Sequence, residues 1–224
     1  MDKKQIQVLL KLPLAELVSI ADKARRDFAG EKLELCSIMN AKSGHCAQDC
    51  KFCAQSSIHK TGIAAYPLKK KEEILQAALR AKQIGAERFD IVTSGNRLSK
   101  GELRIIADAI FEITTKIKIK MCASLGSMDL AGFNLLKKAG LTRYHHNIET
   151  SPDFFPKVVT THTFQDRINT ILKAKKAGLE VCSGGIIGMG ETLGQRIDMA
   201  LLLKELGVDS VPINILVAIK GTAF

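Results

Sequence analysis

Six β-like runs separated by helical patterns constrain this chain more than any other feature. The strand candidates are KLELCSIMN (32–40), RFDIVTSG (88–95), KIKIKMCASLG (116–126), LTRYHHNIET (141–150), LEVCSGGIIG (179–188) and SVPINILVAI (210–219). Helical periodicity occupies 71–85, 101–115, 128–139, 164–177 and 192–206, and several of these stretches close on a glycine (Gly85, Gly140, Gly178, Gly207), which accepts the positive φ of a helix end. Strands parted by helices pair in parallel through right-handed crossovers, which leaves an α/β barrel or a doubly wound sheet. A helical region over about 3–28 precedes the pattern. No linker or internal composition shift divides it, so residues 1–224 are expected to form one domain with this N-terminal helical region attached.

Side-chain parity along the strands separates two faces. Arg143, His145, Asn147 and Glu149 share one face, and Tyr144, His146 and Ile148 the other. Asp90, Val92 and Ser94 oppose Phe89, Ile91 and Thr93; Ser210, Pro212, Asn214 and Leu216 oppose Val211, Ile213, Ile215 and Val217. The apolar face is expected beneath outer helices. The polar face then turns inward, where polar groups are costly unless they bind something. Cys36, Cys122 and Cys182 fall on the first, third and fifth runs. Facing inward, they would add three thiols to a lumen that an ordinary barrel fills with Val, Ile and Leu.

Composition removes some function classes. A net charge of +10 suggests an anionic partner, but the lysines of PLKKKEEILQAALRAKQ and ILKAKKAG read as solvated helix faces. Aromatics are only 5% and no basic run is interleaved with stacking rings, so nucleic-acid binding is not expected. Lys11 and Pro13 interrupt the first apolar run before a signal-peptide core forms, and nothing approaches the roughly 20 apolar residues of a membrane helix. The expectation is a soluble, cytoplasmic protein without a membrane partner. Clustered thiols in such a chain point to metal or redox chemistry rather than disulfides.

The densest thiol cluster is GHCAQDCKFCAQS, where Cys46, Cys50 and Cys53 are spaced C-x3-C-x2-C. Structural zinc takes four protein ligands, and here a fourth is missing at any zinc-like spacing, His45 and His59 being the nearest candidates. The i, i+4, i+7 spacing also fits one buried helix face, but Gly44, Gln48, Asp49 and Lys51 make a poor core helix. Three thiolates suit a [4Fe–4S] cluster with one iron left open to bind a small molecule. The motif resembles that of the radical S-adenosylmethionine (SAM) enzymes, including the aromatic Phe52 before the last cysteine. For Cys36, Cys122 and Cys182, spacing alone leaves two readings open: small core hydrophobes, or a second metal site assembled by the fold.

From residue 36 onward the chain resembles the biotin synthase family, through NAKSGHCAQDCKFCAQSS, HHNIETSPDFFPKVVTTHTFQDR, VCSGGIIGMGET and VPINILVAIKGT. The resemblance implies a TIM-type (β/α) barrel, a SAM-binding [4Fe–4S] cluster at its mouth and an auxiliary iron–sulfur cluster deeper inside. The implied reaction is radical sulfur insertion into dethiobiotin, giving biotin. The implied partners are an electron donor such as flavodoxin or ferredoxin, and a second copy in a homodimer when full length. Carried over by motif, Cys46, Cys50 and Cys53 hold the SAM cluster and Phe52 lies against the adenine. Asn147, Glu149 and Arg167 contact SAM, Ile186 meets the adenine through its backbone, and Asn214 contacts substrate.

Two departures accompany the resemblance. Asp90 stands where the best-known members have a cluster-binding cysteine, and Cys36 where they usually have Ser. The chain thus resembles a variant type in which Cys36, Cys122 and Cys182 hold the auxiliary cluster. Asp90 is either a fourth ligand or, preferably, a hydrogen-bonding neighbour, since carboxylates are unusual iron–sulfur ligands. His145 replaces a substrate-contacting Asn and is read either as a core polar residue or as a contact to the substrate or the cluster. The second departure is length: about six strand–helix units are present where a full barrel has eight. The expectation is an incomplete, C-terminally truncated barrel. Two alternatives remain beside biotin synthesis: a related enzyme of hydrogenase-cofactor maturation, and an inactive or split fragment.

Overall fold

The computed structural model describes residues 2–224. The N-terminal helical region is two helices, α1 (Lys3–Leu9) and α2 (Leu14–Ala29), parted at Pro13, which lacks the N–H a continuing helix would use. Asp2 caps α1 by accepting from the Gln5 N–H at 2.9 Å, while the Gln5 side chain accepts from the Asp2 N–H at 2.8 Å. Neither helix buries a residue. α1 leans on the last helix of the chain through Lys3 Nζ and Asp198, 2.6 Å apart.

The remainder alternates as expected: β1 (Cys36–Lys42), α3 (Lys71–Gln83), β2 (Arg88–Thr93), α4 (Lys100–Glu112), β3 (Lys120–Ser124), α5 (Leu130–Ala139), β4 (Leu141–His145), α6 (Phe164–Lys176), β5 (Glu180–Cys182), β6 (Gly185–Ile187), α7 (Leu193–Leu206) and β7 (Ile213–Ile215). Strands β1 to β5 form one sheet in chain order, every pair parallel, and β6 and β7 form a second parallel pair. Bridges from Cys182 to Ser210 and from Glu149 to Gly185 carry the curvature across the gap. This is a partial (β/α) barrel: five strand–helix units, the fifth with its strand run in two pieces, followed by the strand β7.

Side-chain parity sorts as the sequence predicts for the central strands. Phe89, Ile91, Met121, Ala123, Tyr144, Ile148 and Val181 leave the sheet outward and are fully or almost fully buried. They pack with Ile74 and Ala78 of α3, Ile106 and Ile110 of α4, Phe133 and Leu136 of α5, and Ile171 and Ala174 of α6. Phe133 meets Tyr144 edge-to-face, ring centroids 4.7 Å apart, a favoured aromatic geometry. Loss of either ring from this layer carries the usual cost of a large core truncation, about 3–5 kcal/mol.

Three expectations are corrected. The fifth run is two short strands, because the Gly184 N–H donates to Asn147 Oδ1 at 3.0 Å instead of to a neighbouring strand. The backbone there has no room for a side chain: a Cβ on Gly184 would lie 1.8 Å from the Pro212 carbonyl oxygen. The sixth run is strand only over β7, since Pro212 has no N–H for a ladder. The later part of its apolar outer face is uncovered: Ile215 and Val217 are 75% and 79% exposed. The third run begins late, because Ile113–Ile117 extends α4 as a π-helical turn. There Thr114 and Thr115 donate their hydroxyls back to Ile110 and Phe111 carbonyls at 2.9 and 2.8 Å, holding Lys116 and Ile117 out of the sheet.

Candidate functional site: a mouth with three cysteines and a lumen with three more

Residues 43–66 leave β1 and return to it, Ser43 and Tyr66 exchanging backbone hydrogen bonds of 3.1 and 3.0 Å. Gly44 and His45 both adopt positive φ (73° and 53°), which turns the chain inward at the C-terminal end of the barrel. The loop is not helical, so the spacing of Cys46, Cys50 and Cys53 is not a helix face. Its shape comes from backbone bonds. Cys46 donates to the Gln55 carbonyl and accepts from the Ser57 N–H, and the Cys53 N–H donates to the Cys50 carbonyl.

Asp49 ties this loop to the turn before α6. Its carboxylate accepts from the Thr160 N–H at 2.9 Å, the Thr161 N–H at 3.1 Å and the Thr161 hydroxyl at 2.9 Å, and also from the Thr160 hydroxyl. Partial burial, the largest single influence, pushes its pKa up. The summed hydrogen bonds prevail and hold the carboxyl well below the usual range. The Lys51 N–H adds a bond to the Val158 carbonyl at 3.0 Å.

All three loop cysteines line a cavity of about 260 Å³ at the C-terminal ends of β2, β3 and β4. Phe52, His145, Asn147, Glu149 and Arg167 line it with them. Glu149 sits at φ 69°, a conformation a non-glycine residue holds only under outside constraint. Arg167 supplies that constraint, with Nη1 donating to the Asn147 carbonyl at 2.8 Å and standing 3.2 Å from Glu149 Oε1. The guanidinium lies over the Phe155 ring, whose edge also meets His162. Burial raises the Glu149 pKa, opposed by Arg167 and by a bond from Asn147. A buried carboxylate and a buried guanidinium thus face one space. Arg167 Nε and His146 Nε2 are buried beside them without a hydrogen-bond partner. Unmet polar groups of this kind are costly in an empty pocket and are relieved by a polar ligand.

The cavity wall is rooted in the core. Tyr144 Oη donates to the Gly126 carbonyl at 2.6 Å and accepts from the Leu125 N–H at 3.2 Å, fixing the turn after β3. Gly126 has φ 79°, and a Cβ there would lie 2.3 Å from the Asn96 carbonyl oxygen, so only glycine lets the β2 and β3 turns meet. The Ser127 N–H then donates to that same carbonyl at 2.7 Å.

The loop thiols fit a multi-iron group. Burial pushes Cys50 up to about 12 and raises Cys53, so neither is a thiolate until a cation arrives to replace its proton. Among the described residues no group of three or more His, Cys, Asp or Glu is spaced to hold a single metal ion. Thiolates at three corners of a cuboidal cluster stand farther apart than three ligands on one ion, which is the arrangement a loop of this kind can offer.

The strand cysteines lie deeper. Cys36 is in register with Arg88, Asp90 with Cys122, Cys122 with Arg143, and His145 with Cys182, all on the inward face. Interaction between the two thiols lowers the pKa of the more exposed Cys36 and raises that of the buried Cys122. Asp90 is pushed up to about 7 by burial, and its Oδ1 has no hydrogen-bond partner. An orphaned carboxylate oxygen among three thiols marks a space that suits an occupant. Ile186 packs with Phe52 and Cys53 in the small apolar cluster behind the mouth. Asn214 is its register neighbour on β7, exposed and outside the 260 Å³ cavity.

Several residues that build the site carry almost no signal in the sequence. Asp49 is one; its only mark is an acid between two cysteines of the C-x3-C-x2-C motif. His162 is another: it lines the cavity, its Nδ1 is 2.7 Å from Gln48 Oε1, and burial depresses its pKa to about 4. Glu191 accepts from the Gly188 and Met189 N–H groups at 2.8 Å each and from Arg196 Nε at 2.7 Å, shaping the turn after β6.

Comparison with known proteins matches this geometry to a lineage. The radical SAM superfamily model matches residues 41–203. Biotin synthase of Thermotoga petrophila is 51% identical over 220 residues, covering 98% of this chain and 73% of that protein. Biotin synthase of Clostridium botulinum strain Alaska E43 is 49% identical over 221 residues, covering 99% of this chain and 70% of that protein. Among solved structures, a methylornithine synthase superposes with a TM-score of 0.86 at 20% identity, covering 99% of this chain and 66% of that one. An FeFe-hydrogenase maturase from Carboxydothermus hydrogenoformans superposes with a TM-score of 0.80, also at 20% identity, covering 97% and 53%. These two likenesses establish the fold.

Proposed function

The chain belongs to the biotin synthases of the radical SAM superfamily, and from that membership we propose that it serves radical sulfur insertion into dethiobiotin. The observation that carries the reading is identity near one half to biotin synthases across nearly the whole chain. The chain spans about seven-tenths of the length of those relatives. Two iron–sulfur groups would supply the chemistry when bound, one delivering an electron to SAM and the other delivering sulfur.

The residues divide that work. Cys46, Cys50 and Cys53 would hold the cluster at the mouth through three thiolates, one protein ligand fewer than its four irons. Glu149 and Arg167, one anionic and one cationic group on the same cavity, suit the amino and carboxylate ends of SAM. Phe52 and Ile186, packed in one apolar cluster, suit the adenine. Cys36, Cys122 and Cys182 hold the auxiliary cluster. Asp90 Oδ1, unpartnered among them, faces that group as a hydrogen-bonding neighbour. His145 stands between the two places, lining the mouth cavity and in register with Cys182, and is assigned to substrate with Asn214. The reading includes residues 1–224 as one domain, a flavodoxin- or ferredoxin-type electron donor, a homodimer and a cytoplasmic setting. No helix among the described residues is long and apolar enough to cross a membrane.

Anaerobic reconstitution with iron and sulfide, followed by SAM, a reductant and dethiobiotin, tests the function. Biotin or a thiolated intermediate of dethiobiotin is the expected product. Deoxyadenosine without any sulfur-bearing product would point to another radical SAM substrate, such as one of hydrogenase-cofactor maturation.

A further inference from the structure

Beneath the strand cysteines lies a closed ring of charge that the mouth chemistry does not use. Arg88 Nε donates to Glu34 Oε2 at 2.7 Å and its Nη2 to Glu180 Oε2 at 3.2 Å. Arg143 Nε donates to the same Glu180 oxygen at 2.9 Å, and its Nη1 reaches Glu34 Oε2 at 3.4 Å. Arg88 also donates to the Thr142 hydroxyl at 3.2 Å. The four residues come from the segment before β1 and from β2, β4 and β5, and they join those elements at the N-terminal end of the lumen. A guanidinium as buried as that of Arg88, 6% exposed, is costly to place there unless it is paired and serves a fixed position.

The position has a use. Arg88 is the register neighbour of Cys36, and Arg143 that of Cys122, on the same inward face. A ring that merely tied strands together would serve as well on the outer surface. This one places two paired cations beside Cys36 and Cys122 on the inward face.

We propose that Arg88 and Arg143, oriented by Glu34 and Glu180, are positioning residues whose charge sets how readily the group held by Cys36, Cys122 and Cys182 accepts an electron. The proposal rests on reading those cysteines as ligands of the auxiliary cluster. A fixed cation favours the more negative, reduced form. Removing it lowers the reduced fraction, and removing a carboxylate from the ring raises it.

The test is anaerobic redox titration of the reconstituted chain with dithionite and mediators, following the auxiliary cluster by EPR and absorbance. Iron and sulfide are counted for each variant. At the wild-type midpoint, Arg143→Met is expected to lower the reduced-to-oxidised ratio at least fivefold, where tenfold corresponds to 59 mV for one electron. Arg143→Lys should stay within twofold of wild type. Glu180→Gln should move the ratio upward, a sign that simple loosening of the site would not produce, and it serves if Arg143→Met fails to fold. A ratio unmoved by Arg143→Met, or lowered by Glu180→Gln, overturns the proposal. A second cluster that persists in the Cys36→Ser, Cys122→Ser, Cys182→Ser triple variant, or that wild type never acquires, instead overturns the ligand reading and the proposal with it.

Discussion

The two cysteine sets are built by opposite means. Cys46, Cys50 and Cys53 come from eight consecutive residues of one loop and are held by short-range backbone bonds and by the Asp49 clamp. Cys36, Cys122 and Cys182 come from three strands and are held by sheet register and a ring of ion pairs. The first set carries its geometry with it. The second exists only once the barrel has formed. A loop of this kind can be carried by many barrels and serve a shared activation step, whereas a register-built site belongs to one arrangement of strands and suits the step that distinguishes one enzyme from its relatives.

The sharpest way to break the contrast is to remove one thiol from each set. Cys50→Ser is expected to abolish the mouth cluster and lower deoxyadenosine formation from SAM more than 100-fold, while the metal-free protein melts within about 2–4 °C of wild type, a shift of about 1 kcal/mol. Cys122→Ser is expected to lose the auxiliary iron and all sulfur transfer, yet keep deoxyadenosine formation within about threefold. Iron analysis and chromatography of the two products check both. Equal loss of both activities in Cys122→Ser would mean that the sets are not separable. A smaller effect is expected from Asp49→Ala, which releases the loop from Thr160 and Thr161. Iron should leave the mouth for a chelator about fivefold faster, with release from the lumen unchanged.

The smallest effect is in pH. His162 has its pKa depressed to about 4 in the fold, below the ordinary histidine value of 6.5, mainly by burial. The unfolded chain therefore holds the proton more tightly, and stability falls as pH drops from about 6.5 toward 4. Thermal melts of wild type across that window should decline more steeply than those of His162→Gln. Parallel slopes would show that His162 titrates normally.

Much of this architecture is legible in the sequence. Each run of the strand–helix alternation repeats the period of its own element, and parity places Asn147, Glu149 and Arg143 inward. The illegible parts depend on contacts between distant residues. KIKIKMC alternates like a strand, but the threonines before it bond backward and keep its first residues in a π-helical turn. LEVCSGGIIG is continuous in pattern, but a side chain from β4's extension takes the N–H that would have joined it. The loop cysteines can be found by spacing. The lumen's ring of Glu34, Arg88, Arg143 and Glu180 cannot, since nothing in spacings of 37 to 109 residues marks them as partners.

In Tyr144 a single side chain belongs both to the wall of the mouth and to the core behind it. Its ring is packed against Phe133, on the side of the sheet farthest from any reactant, while its hydroxyl shapes the rim where reactants enter. Evolution cannot repack that interface for thermal robustness without also redrawing the entrance. Variation at α5 is therefore selected through turnover as well as through persistence of the fold, and stabilised descendants of this barrel should accumulate their changes elsewhere.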